Sequence, residues 1–91
     1  MALIAPDIGI DLGTSNTLVH VRKRGLQINE PTLIVVSGAQ KRTIKAIGQD
    51  ALAMVGRTTG GDVAVRPLQE GTVKDFDLAE AVLRYFIRKA I

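Results

Sequence analysis

Residues 8 to 17 read Ile8-Gly9-Ile10-Asp11-Leu12-Gly13-Thr14-Ser15-Asn16-Thr17. Ile8, Ile10 and Leu12 alternate with Gly9 and Asp11, the period of a strand with one buried face. Gly13 stops the run, four small polar residues follow, and Leu18 to Val21 opens a second apolar run. The simplest geometry is a strand, a tight turn of small residues and a second antiparallel strand.

Such a turn suits phosphate. Gly13 permits close backbone approach or a positive φ, and successive backbone N–H groups can point into one concavity and hold an anion. Thr14, Ser15 and Thr17 add hydroxyl donors, and Asn16 adds an amide donor. Asp11 repels phosphate directly but can hold Mg²⁺ through water, and the metal then meets the phosphate oxygens. The turn has no Lys, so it is not the G-x-x-x-x-G-K-[ST] loop. The same residues also suit a hairpin whose polar side chains simply cap its own backbone, since turns of this composition are common.

Outward from the hairpin, Arg22-Lys23-Arg24-Gly25 reads as a solvated turn. Leu26 and Ile28 form a strand, broken or edged at Pro31, which lacks a ladder donor. Thr32 to Ser37 is the most β-prone segment, Ser37 to Gln40 is a turn, and Thr43 to Ile47 is a short strand. Gln49 to Val55 reads as a short helix with Ala51, Leu52 and Val55 on one face and Gly56 at its C′ position. Arg57 to Asp62 is a surface loop, and its Thr-Gly-Gly piece lacks the strand-to-helix context of a phosphate loop. Val63 to Arg66 is a strand closed by Pro67. Asp77 and Glu80 suggest a capping box opening a helix from about Leu78 to the end. Its apolar face, centred on Leu78, Val82, Tyr85 and Phe86, needs the hairpin sheet or a partner to cover it.

Composition narrows the function classes. The chain has 91 residues, room for one modest domain, and aromatics of only 3% imply an aliphatic core. With no Cys and one His, it offers neither disulfides nor a His–Cys zinc cluster; His20 reads as a solvated strand residue. The net charge of +3 permits weak anion attraction, but the aromatic platforms of single-strand nucleic-acid binders are nearly absent, so no nucleic-acid partner is expected. No run approaches the roughly 18 apolar residues of a membrane span, and Met1 to Pro6 has no signal-peptide pattern. A cytoplasmic location is expected.

The stretch Ile8 to Thr17 resembles the first phosphate loop of the superfamily of actin, sugar-kinase and heat-shock-chaperone ATPases. Further motifs select a branch: Asn29-Glu30-Pro31-Thr32, Ala46-Ile47-Gly48 and Met54 to Thr58, then Arg66-Pro67-Leu68, Gly71-Thr72-Val73 and Asp75-Phe76-Asp77. In this order and spacing they resemble the MreB/Mbl-type family of bacterial actin-like, rod-shape-determining proteins, over about Asp7 to Ile91. The resemblance implies an α/β fold of the actin/ribonuclease-H-like ATPase type, present as its N-terminal part: a hairpin-rich mixed sheet and a C-terminal helix. Residues of about 7–30 and 67–91 would belong to the lower subdomain and about 31–66 to the small upper one.

The same resemblance implies ATP and Mg²⁺ as cofactors. Gly13, Thr14, Ser15 and Asn16 would wrap the terminal phosphates, with Asp11 positioning Mg²⁺ through water. Many relatives carry Ala where this chain has Ser15. Implied partners are other copies in a filament, the inner membrane face and the cell-wall synthesis machinery. Met1 to Ala5 is too short for the amphipathic membrane helix of some relatives. The second phosphate loop, the water-activating segment and the adenosine pocket find no match in these residues, so the chain alone is expected not to hydrolyse ATP. Two alternatives stand beside this reading: the start of a heat-shock-type chaperone ATPase, and a short non-enzymatic module that self-associates through its last helix or a sheet edge.

Overall fold

Alternation in the first hairpin translates directly into a two-faced sheet. The computed structural model of the chain describes residues 2–4, 7–38, 43–57 and 61–91. Strands β1 (Ala2–Ile4), β2 (Ile8–Leu12), β3 (Asn16–Val21) and β4 (Gly25–Pro31) form an antiparallel meander in that order. Ile10 lies opposite Val19, and Val19 opposite Ile28. All three are buried, while Asp11 and His20 face solvent. β1 adds a strand that the reading of the sequence did not contain. Pro31 ends β4 at the sheet edge, as its missing N–H requires. The turn at residues 22–24 closes with Lys23 at φ 68° and Gly25 at φ 76°.

A second sheet follows, with β5 (Ile34–Val36) between β6 (Ile44–Ile47) and β7 (Val63–Val65). All three residues of β5 are buried, because the strand is covered on both faces. Ile34 and Val36 join the main core, and Val35 joins Leu33 and Ala51 in a smaller one. A continuous Val/Ile run is what a doubly covered strand requires. Helix α1 (Gln49–Met54) buries Ala51 and packs Met54 against that smaller core. The predicted face is therefore corrected: Leu52 and Val55 are 42% and 49% exposed. Gly56 does sit just past the helix, at φ 83°.

Strands β8 (Leu68–Gln69) and β9 (Thr72–Val73) make a small hairpin absent from the sequence reading. Glu70 and Gly71 hold positive φ of 53° and 75°, the pair that a two-residue turn of matching twist needs. Helix α2 (Phe76–Ala90) then crosses the first sheet, burying Leu78, Val82 and Phe86 against Leu12, Val19 and Ile28. The sheet covers the Leu78, Val82 and Phe86 side of the helix, while Phe76 remains 78% exposed at its start. The start of α2 also differs from expectation. The N-cap is Asp75, whose carboxylate accepts from Leu78 N at 3.0 Å, and Glu80 pairs instead with Arg84 at 2.8 Å. Asp77 is thus inside the first turn, and no capping box forms.

Glu30 joins three elements. Gly48 N-caps α1 without a side chain to offer, and Glu30 Oε1 supplies the missing acceptor for Gln49 N at 2.9 Å. Glu30 Oε2 takes Lys89 Nζ of α2 at 2.6 Å. A Cβ at position 48 would lie 2.6 Å from Glu30 Oε1 and 3.0 Å from the Phe86 ring, and φ there is 71°, so glycine is required on both counts. Residues Ala39, Gln40 and 58–60, read as parts of a turn and a loop, lie outside the described residues. Among the described residues, no helix is long and apolar enough to cross a membrane.

Candidate functional site

The site is the tip between β2 and β3. Leu12 pairs with Thr17 as the last rung, and Gly13 N donates to the Asn16 carbonyl at 3.1 Å. A Cβ on Gly13 would lie 2.7 Å from that oxygen. Close approach, and not a positive φ, is therefore why glycine stands there: its φ is outside the positive range. The same bond occupies the Gly13 N–H, so the further backbone N–H groups of the tip are those of Thr14, Ser15 and Asn16.

The remaining predicted residues divide. Ser15 and Asn16 are exposed, Thr14 is half-buried, and Asp11 is exposed one residue before the last rung. The structure brings these onto one hairpin end. Thr17 is removed from the set. It is fully buried, and its hydroxyl shares a 2.8 Å hydrogen bond with that of Thr32. Asn16 spends one amide N–H on Asn29 Oδ1, at 3.0 Å.

Distant segments hold the tip in place. Thr32 N donates to the Ser15 carbonyl at 2.8 Å. Gly71 N, from the β8–β9 turn, donates to Thr14 Oγ1 at 3.0 Å. Arg66 Nη1 approaches the carbonyls of Thr14 and Ser15 at 3.4 and 3.3 Å. Arg66 and Gly71 lie more than 50 positions downstream of the tip, and no local pattern connects them to it. The one available signal was compositional: a candidate phosphate loop with no cation of its own invites a search for one elsewhere.

The arrangement fits part of a nucleotide-phosphate site. The tip offers backbone N–H groups and the exposed Ser15 side chain as donors for an anion, and Gly13 lets the turn close against the Asn16 carbonyl. Asp11 is a single carboxylate; among the described residues no group of three or more His, Cys, Asp or Glu is placed to hold a metal. One carboxylate suits Mg²⁺ that keeps most of its waters and takes its other ligands from phosphate.

Comparison with known proteins resolves the branch. The family model described as MreB/Mbl protein matches residues 5–91. The chain belongs to the MreB/Mbl family. It is 47% identical over 87 residues to the cell shape-determining protein Mbl of Bacillus cereus, which covers 96% of this chain and 26% of that protein. It is 37% identical over 90 residues to the cell shape-determining protein MreB of Escherichia coli K12, with the same coverage. The crystal structure of MreB5 of Spiroplasma citri bound to ADP superposes with a TM-score of 0.78 and 34% identity, over 88% of this chain and 24% of that one. The same protein bound to AMPPNP gives 0.77 and 35%. The actin-like fold is thereby established. The chain spans about a quarter of the length of the curated relatives it matches.

Proposed function

We propose that this chain is the part of an actin-like, ATP-dependent filament protein that supplies one of its two phosphate loops. The observation that carries the proposal is the tip itself. Gly13 is packed against Asn16, Ser15 and Asn16 are exposed beside it, and Asp11 is exposed on the strand just before the turn, in a chain whose structural relatives are bound to ADP and AMPPNP. In this reading Gly13, Thr14, Ser15 and Asn16 contact the terminal phosphates of ATP, and Asp11 orients a hydrated Mg²⁺. Residues of about 31–66 form the small upper subdomain, and about 7–30 with 67–91 form the lower one. The assembled protein sets rod shape by organising cell-wall synthesis from the cytoplasmic face of the membrane, with other copies of itself as filament partners. The family match gives the chaperone alternative no support.

Half a cleft holds nucleotide weakly. Each 1.4 kcal/mol of lost contact costs tenfold in affinity, so the chain alone should bind Mg-ATP at about millimolar strength and not turn it over. Phosphate release from ATP by the purified chain tests this. No release above background is expected; turnover that disappears in Asp11→Ala would contradict the proposal.

A further inference from the structure

The phosphate loop carries no positive charge, and the carboxylate of Asp11 stands beside it. A nearby cation comes from far along the chain. Arg66 lies between β7 and β8, is exposed, and places Nη1 against the carbonyl oxygens of both tip residues. One guanidinium nitrogen, which carries two N–H donors, thus serves both carbonyls. It holds the two carbonyls toward Arg66, and a peptide's N–H points opposite to its C=O. The peptides that carry these carbonyls also carry the Ser15 and Asn16 N–H groups, so fixing the carbonyls directs those two N–H groups away from the guanidinium. The planar guanidinium has further donors uncommitted to these carbonyls.

We propose that Arg66 is a positioning residue of the phosphate loop: by holding the Thr14 and Ser15 carbonyls it orients the Ser15 and Asn16 N–H groups for a nucleotide's terminal phosphate. This rests on the reading of the tip as a phosphate loop. It predicts that Arg66 matters to anion binding although the residue lies outside the loop. Lys cannot replace it fully, because an ammonium is a point donor on a flexible stem without the planar spread of the guanidinium.

The test is an amide NMR titration of the purified chain with Mg-ADP, comparing wild type, Arg66→Met and Arg66→Lys. Arg66 is exposed, and urea midpoints for the three chains check that the fold persists. Wild type should shift the Thr14, Ser15 and Asn16 amides. Arg66→Met should weaken that binding about fivefold to tenfold, as expected for losing hydrogen bonds to a charged group. Arg66→Lys should recover no more than about half of the lost factor. Wild-type binding with an unchanged Arg66→Met affinity overturns the role of Arg66 and leaves the phosphate loop standing. Full recovery in Arg66→Lys overturns the positioning role, reducing Arg66 to its charge. A wild type without any response at the tip overturns both readings.

Discussion

At the scale of single residues, the pair Thr17–Thr32 replaces what composition suggested was a ligand. Both hydroxyls are fully buried and satisfy each other at 2.8 Å. Removing one leaves the other without a partner in the core, and an unsatisfied buried hydroxyl costs about 1–3 kcal/mol. Thr17→Val and Thr32→Val should therefore each destabilise the chain by that amount in urea unfolding. The double variant should be close to wild type, because shape is kept and no polar atom is stranded. Strict additivity of the two losses would contradict the pairing. Thr17 was misread because a hydroxyl in a polar turn looks like a donor, while its burial depends on strand parity one rung past the turn. Ile10, Leu12 and Val19, by contrast, were legible, since alternation alone fixes which face they take.

At the scale of elements, the start of α2 separates two readings of the same acidic residues. Asp75 caps the helix by accepting from Leu78 N, while Glu80 sits in an exposed i,i+4 pair with Arg84, with side chains 70% and 61% exposed. Asp75→Ala should cost about 1 kcal/mol, and Glu80→Ala no more than a few tenths. Thermal or urea unfolding of the two variants checks the order; equal losses would restore the capping box. The helix itself, its length and its apolar stripe were legible from periodicity. The β8–β9 hairpin was not, because two-residue strands leave no period to read and Glu70-Gly71 is a weaker turn signal than Asn-Gly. β1 escaped for the same reason of length. α1 was found, but its face was not: over six residues several stripes are equally regular, and the position of β5 decides among them.

At the scale of the whole molecule, long-range polar ties join the segments and give the fold its pH dependence. Lys89 reaches Glu30 across 59 positions. That hydrogen bond raises the Lys89 pKa above its ordinary 10.5; partial burial opposes the shift, and the Glu30 charge reinforces it. A group whose pKa is raised by folding contributes stability that is complete below its unfolded pKa and is lost as pH climbs through the folded one. Stability from this tie should therefore hold through neutral pH and fall only above about pH 10.5. The Lys89 side chain is 47% exposed, so the contribution is small, within about 1 kcal/mol. Unfolding midpoints between pH 7 and 11 should show this alkaline loss in wild type and not in Lys89→Met; identical slopes would contradict it. Ties of this kind, like Arg66 and Gly71 at the tip, were illegible in the sequence. Their partners are brought together only by the sheet and helix packing, which local spacing does not encode.

We propose that the tip between β2 and β3, with Asp11, meets a metal-bound nucleotide. The most direct measurement is paramagnetic broadening of amide signals by Mn-ADP, with Mn²⁺ standing in for Mg²⁺ and ADP kept in excess. Broadening should be greatest at Asp11, Thr14, Ser15 and Asn16, extend to Gly71, and be much reduced in Asp11→Asn. Broadening centred elsewhere, or unchanged by that substitution, would contradict it.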